Sequence, residues 1–270
     1  MNKKNRAIGV FDSGLGGLTV LKEISKVLPN EEIVYFGDTA RVPYGPRSSE
    51  TVTKYTFQSI NFLLENNIKA IVIACNTASA RSLAQAQERY NIPIIGVIKP
   101  GAKGALQVTE NNRIGIIGTE GTISSRAYEY EILRRNENAK VYSKACPLFV
   151  PIVEEGWANS KVAELTAREY LSYFDGKDID TLIMGCTHYP ILHDTIHKVT
   201  EGKIKLVNPA VETALRIKYL LEKNDLLNDN QGNNRHKFFV SDLPERFQKI
   251  GEDFLNRPFE NVSVVEIQKY

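Results

Sequence analysis

Two short apolar runs constrain this chain more than any other feature. Ala70 to Ala74 (AIVIA) and Thr181 to Gly185 (TLIMG) lack polar alternation, which suits parallel strands buried on both faces. Each run ends in a cysteine, Cys75 or Cys186, followed at once by small hydrogen-bonding residues. Asn76 and Thr77 follow the first, Thr187 and His188 the second. The chain has only three cysteines, so two of them hold the same place in two similar elements. Ligands of open α/β sheets sit beyond the carboxyl ends of the strands, which puts both thiols where chemistry usually happens.

The surrounding elements alternate. A strand from Ile8 to Phe11 runs into Asp12 to Val20 (DSGLGGLTV), a glycine turn that opens a helix to about Leu28. A strand from Ile33 to Phe36, a Pro- and Gly-rich loop from Ala40 to Ser48 and a helix from about Ser49 to Glu65 lead to the first cysteine strand. A helix to about Tyr90 and a strand from Pro93 to Val97 follow. The plan then repeats, with Arg113 to Thr122 (RIGIIGTEGT), Lys140 to Cys146, Thr181 to His188 and Ile204 to Val207. An α/β fold is expected: two similar halves, about 1–98 and 99–210, each with a mainly parallel sheet flanked by helices. The tail reads as a helix from about Glu212 to Lys223, a polar surface loop from Asn228 to His236, a strand from Lys237 to Ser241, a helix from Pro244 to Leu255 and a strand from Val262 to Ile267.

Composition excludes several classes. With 270 residues, 24% charged and 42% hydrophobic, the chain is an ordinary globular one. A net charge of +2 without a basic run does not ask for nucleic acid. No apolar stretch approaches the roughly 18 residues of a membrane span. The start, MNKKNRAIGVFD, has a basic segment but no apolar core after it, so it does not read as a signal peptide. An odd cysteine count then points to reduced thiols in the cytosol.

Two halves related by an approximate two-fold axis would face their equivalent strand ends across a cleft, presenting Cys75 and Cys186 to one small ligand. Each thiol is expected just before a helix N-terminus, where free N–H groups and the dipole favour thiolate. The same N-termini, with Asn76, Thr77 and Thr187, would take carboxylates. Two thiols in an anion-binding cleft suit a two-base reaction that inverts a tetrahedral carbon, which is racemisation. Other readings stand beside it. A cysteine after an apolar run is often a small buried hydrophobe, the reading given to Cys146. Zinc on Cys75, Cys186 and His188 is conceivable, although no C-x-x-C pair accompanies it. His188, two residues past Cys186, would point to the same side of a strand end. Asp12 would hold a substrate ammonium, assist Cys75, or cap the glycine turn. Gly14, Gly16 and Asp38 partly match a dinucleotide loop, but Thr19 stands where its third glycine belongs.

FDSGLGG (Phe11 to Gly17), GDTARVPYG (Gly37 to Gly45), ACNTA (Ala74 to Ala78), GTEGT (Gly118 to Thr122) and GCTHYP (Gly185 to Pro190) together resemble the cofactor-independent glutamate racemase family, which makes D-glutamate for bacterial peptidoglycan. The resemblance runs from about Ile8 to Val211, with Asn208-Pro209 where relatives commonly have Asp and a small residue. It implies Cys75 as the base toward D-glutamate and Cys186 as the base toward L-glutamate. It places Asp12, Ser13, Tyr44, Gly45, Asn76, Thr77, Thr187 and His188 around the substrate, with Thr119 and Thr122 adding hydroxyls. Asp12, His188 and Glu154 are its auxiliary groups, with Glu155 adjacent to the last. It further implies two α/β domains with the site between them, 1–98 joined by the returning tail 211–270, and 99–210. No cofactor, no metal, a small-molecule substrate and, in many members, a homodimer complete the expectation. The alternatives are a two-cysteine racemase for aspartate or another small acid, and an amino-acid sensor without turnover.

Overall fold

The computed structural model describes residues 3–228 and 236–270. Its elements are β1 (Ala7–Asp12), α1 (Leu18–Val27), β2 (Ile33–Gly37), α2 (Ser49–Leu64), β3 (Ile68–Ile73), α3 (Asn76–Arg89), β4 (Ile94–Gly96), α4 (Ile98–Val108), β5 (Arg113–Gly118), α5 (Glu120–Ser124), α6 (Ala127–Leu133), β6 (Lys140–Ala145), α7 (Phe149–Glu154), α8 (Lys161–Leu171), β7 (Thr181–Gly185), α9 (His193–Val199), β8 (Lys205–Val207), α10 (Pro209–Lys223), β9 (Lys237–Val240), α11 (Pro244–Leu255) and β10 (Val262–Val264).

The strands form two sheets, ordered β10-β9-β2-β1-β3-β4 and β6-β5-β7-β8. Every pairing is parallel. The core order β2-β1-β3-β4 of the first sheet is the order β6-β5-β7-β8 of the second, so the halves share topology as well as pattern. Both cysteine-bearing strands, β3 and β7, lie beside the first strand of their sheet and are buried throughout. Their unbroken apolar runs are what burial on both faces requires. Register brings Phe11 level with Ile73 and Gly118 level with Gly185, so in each sheet the two adjacent strands deliver their functional loops at one height.

The tail strands β9 and β10 extend the first sheet from β2. Helix α10 packs on α1 and on α4, tying the two sheets together. Asn208 caps α10, its side chain accepting from Ala210 N at 3.0 Å, with Pro209 in the first helical position. The Asn-Pro pair is thus a helix start of a common kind.

Three expectations are corrected. The strand drawn to Ile267 ends at Val264, and a single 3-10 turn, Ile267–Lys269, buries Ile267 instead. No α-helix follows Cys186 directly; a 3-10 turn, Tyr189–Leu192, intervenes before α9. Pro190 explains this, because an α-helix there would need its missing N–H to reach the Cys186 carbonyl. The bonds that form are Tyr189 N to Cys186 O and Ile191 N to His188 O, each 3.1 Å. The Gly14-x-Gly16 loop has no opening for a pyrophosphate, since a Cβ on Gly16 would lie 2.5 Å from His188 Nδ1. Most of the surface loop drawn from Asn228 to His236 lies outside the described residues.

Candidate active site

Where the carboxyl ends of the two sheets meet, a small cavity of about 30 Å³ is lined by Ser13, Tyr44, Gly45, Cys75, Asn76, Thr77, Thr119, Cys186, Thr187 and His188, closed by Val42, Pro43 and Val150. The first six come from loops of the first sheet and the next four from loops of the second. A larger cavity of about 370 Å³ adjoins it across Val42, Pro43, Gly45, Thr119 and Val150 and reaches Glu154. A wider surface groove, about 680 Å³, borders Arg126, Tyr130 and Arg134 and holds none of these side chains.

Cys75 ends the loop after β3 and caps α3, its sulfur accepting from Ala78 N at 3.5 Å. The expected thiolate does not follow. Burial, and then the negative charge of Asp12, push the Cys75 thiol up to about 12, outweighing the Ala78 N–H and the Ser13 hydroxyl. A helix terminus contributes a fraction of a charge, which is less than desolvation removes here.

Asp12 is fully buried at the end of β1. It accepts Gly14 N at 3.0 Å and Thr187 Oγ1 at 3.4 Å, so it both holds the glycine turn and reaches across the cleft. Burial raises its carboxyl above the usual range, against the lowering charge of His188. Thr19, the residue in the third-glycine place, donates to Gly16 O and to Thr187 O, both at 2.9 Å. One hydroxyl therefore joins the helix α1 start to the loop carrying Cys186.

Around Cys186 a line of groups runs outward. His188 Nδ1 lies 3.9 Å from Cys186 Sγ, and its Nε2 lies 3.0 Å from Glu154 Oε1 at the end of α7. Burial opposes charge on His188, yet its hydrogen bonds and charge interactions with Cys186 and Glu154 raise it to about 10. Glu154 moves the other way: burial would raise it, but the His188 bond and charge, with Arg246 behind, bring it below the ordinary carboxylate range. The result is an imidazolium between a sulfur and a carboxylate. The tail helix α11 backs this line, Phe254 meeting the His188 ring edge-on at 6.1 Å and Arg246 approaching Glu154 at 3.9 Å.

Opposite, Thr77, Thr119 and Thr122 form a triangle of hydroxyls at 2.8, 3.1 and 3.3 Å, spanning the two halves. Tyr44 is seated by its bond to Asp38, which also accepts Arg41 Nε at 2.7 Å and Ser241 Oγ at 2.8 Å. Asp38 is thereby committed to holding a loop and is not free for a ribose. Cys146 is buried apart from the cavity, its backbone oxygen accepting from Tyr189 Oη at 2.8 Å. Among the described residues no group of three His, Cys, Asp or Glu side chains is disposed to hold a metal ion. The sequence does not mark Val42, Pro43 and Val150 as walls or Arg246 and Phe254 as supports: Val42 and Pro43 sit inside GDTARVPYG, but their apolar side chains signal no chemistry, and the other three lie outside the motifs.

Residues 8–216 match the model of the Asp/Glu/hydantoin racemase family. The chain belongs to that family. Membership in this racemase family makes it an isomerase. Among curated relatives, a glutamate racemase of Geobacter metallireducens is 50% identical over 263 residues, 97% of each chain. A solved glutamate racemase isoform of Bacillus anthracis superposes with a TM-score of 0.94 at 42% identity, covering 97% of this chain and 98% of the other. That of Francisella tularensis, solved with D-glutamate, gives 0.92 at 44% identity, covering 99% and 100%. The two-sheet fold is shared with both solved structures over nearly the whole chain.

Proposed function

We propose that this chain interconverts L- and D-glutamate by proton transfer between two cysteines, without a cofactor. The observation that carries this reading is that Cys75 and Cys186, at the ends of the equivalent strands of two sheets, line one small cavity. Near-full-length similarity to proteins named glutamate racemase, one of them holding D-glutamate, supports the choice of substrate.

The geometry supports a definite sequence of events. Cys75, pushed to about 12, waits as a thiol. Cys186 is the base on the other side of the cavity, with the His188 imidazolium 3.9 Å from its sulfur. With L-glutamate bound, Cys186 takes the α-proton: the C–H bond breaks, an S–H bond forms, and the electron pair stays on carbon, spread into the α-carboxylate. The Cys75 S–H bond then breaks and a new C–H bond forms on the opposite face. Negative charge left on Cys75 is met by Ala78 N–H and the Ser13 hydroxyl. A substrate ammonium beside Asp12 would cancel the charge that holds the Cys75 proton, which prepares the reverse reaction from D-glutamate. Donors fixed around the carboxylates, Asn76, Thr77, Thr119, Thr122 and the α3 N-terminus, stabilise the carbanion without reorganising.

The same reading assigns a cytoplasmic supply of D-glutamate for peptidoglycan. It also treats 1–98 with 211–270 as one domain and 99–210 as the other, which the pairing of β9 with β2 supports. Among the described residues no helix is long and apolar enough to cross a membrane.

Heavy water tests the reaction. Dialysed protein, with EDTA and a carbonyl trap present, should racemise glutamate and place deuterium at the α-carbon of product from the first turnover, because the returning proton comes from the second, solvent-exchanged thiol. Product that keeps the substrate's own α-proton, or activity that needs added metal, would remove the two-cysteine reading.

A further inference from the structure

Asn76 is the first residue of α3, next to Cys75, and lines the cavity. Its Oδ1 receives a 2.7 Å hydrogen bond from the Tyr128 hydroxyl. Tyr128 belongs to α6, on the second sheet's side, so this bond crosses the cleft. The rest of the tyrosine is core: it clusters with Ile98, Ala102, Ile116 and Ile132, and a Cβ on Gly185 would come within 3.2 Å of its ring.

A hydroxyl buried in so apolar a place is destabilising unless it finds a partner. Among the described residues Asn76 is the sole hydrogen-bond partner of the Tyr128 hydroxyl, and Tyr128 the sole side-chain partner of the Asn76 amide. Burial first, and then the nearby Cys186, push the phenol far above its ordinary range, so the proton stays on oxygen and the hydroxyl remains a donor. A donor accepts only one orientation of an amide. With Oδ1 held by Tyr128, Nδ2 is the end left for the cavity. Turned over, the amide would leave the phenol proton without an acceptor and aim its own oxygen at any carboxylate in the site.

We propose that Tyr128 is a positioning residue for substrate: its hydroxyl, reaching from the opposite half of the molecule, locks the Asn76 amide with Nδ2 toward the cavity, where it donates to a glutamate carboxylate. This rests on the glutamate reading above. Because the bond spans the cleft, the donor is set by contact between the two halves.

Tyr128→Phe removes the hydroxyl and keeps the ring. Calorimetric titration with D-glutamate should give a Kd weakened about tenfold, the order expected for a lost bond to a charged group. KM should rise similarly for both enantiomers, with kcat changed less. Thermal unfolding reports separately on the core. The deciding comparison is Tyr128→Phe in an Asn76→Ala background, where it should add nothing to Kd or KM. Equal loss in both backgrounds, unchanged binding in Tyr128→Phe, or unchanged binding in Asn76→Ala would each overturn the proposal, as would a wild-type chain that binds neither enantiomer. Calorimetry needs no turnover, so wild-type binding without racemisation would sink the racemase reading alone, and the same comparisons would still decide the role of Tyr128.

Discussion

His188 Nε2 stands 3.0 Å from Glu154 Oε1, while Glu155, the next residue, is exposed and lies 3.6 Å from Arg246. Helix α7 ends at Glu154. Its last side chain turns inward to the imidazole, and the one after it turns out. Both adjacent carboxylates approach Arg246, and of the two Glu154 alone reaches the imidazole.

Replacing each by glutamine separates them. Glu154→Gln keeps the shape but removes the charge that helps hold the His188 proton, and should slow the reaction from L-glutamate by about 10- to 100-fold. The alkaline limb of its pH–rate profile should move to lower pH. Glu155→Gln should change rates less than about twofold, as surface substitutions generally do. Equal effects in steady-state assays of the two variants would deny Glu154 its place beside His188.

Among the thiols, Cys75→Ala and Cys186→Ala should each abolish racemisation in both directions, since every turnover needs one base and one acid. Cys146→Ala should keep turnover near that of the parent and lose about 1 kcal/mol of stability for its buried sulfur. Its contact with Tyr189 runs through a backbone oxygen and survives the change. Coupled polarimetry and denaturant unfolding read both quantities. An inactive, folded Cys146 variant would mean the wrong pair has been chosen.

Stability should carry the mark of His188. Its folded value, about 10, lies above its ordinary 6.5. The stabilisation it brings is therefore complete below 6.5 and is lost as pH climbs through about 10. The difference in unfolding free energy between parent and His188→Asn should be largest near pH 6 and shrink steadily above it. Glu154, lowered in the fold, acts oppositely: its contribution is present above its ordinary value and fades as pH falls. A difference that does not vary between about pH 6 and 10 would remove the imidazolium from the site.

Gly16 tests how tightly the halves close. A Cβ there would run into Thr187 Oγ1 and lie 2.5 Å from His188 Nδ1. Gly16→Ala should prop the Cys186 loop away from α1, breaking the Thr19–Thr187 bond and lowering kcat/KM by at least about 100-fold, the scale of a displacement near 1 Å. Small-angle scattering and kinetics on the folded variant check it; unimpaired turnover would show that this contact is not part of the working geometry.

Much of this was legible because it is local. An apolar run without alternation marks a strand buried on both faces, and β3 and β7 fall within two residues of the runs that announced them. Asn and Thr beside a strand end mark helix starts, as at Asn76 and Thr119, and Cys75, Asn76, Thr77, Thr119 and Thr187 line one cavity. Cys186 is the local exception, because Pro190 denies it the helix that its place at a strand end suggests. The repeated spacing of strand and helix announced two similar halves, while their common order, β2-β1-β3-β4 and β6-β5-β7-β8, is read from the structure.

Other matters belonged to the tertiary structure. Protonation of Cys75 depends on how completely β1, β2 and α3 exclude water from it, and on Asp12 arriving from another strand; its own neighbours in sequence predicted the opposite sign. The choice of Glu154 over Glu155 depends on where α7 stops, because successive helical side chains point about 100° apart. Tyr128, 52 residues from Asn76, meets it only because the second half folds over the first. The sequence by itself determined which segments become strands, which thiols stand at their ends and that two such units exist. Only the packed molecule decided which groups lose water and which meet across the cleft, since desolvation and long-range contact are properties of surfaces brought together and are not carried by any one stretch of chain.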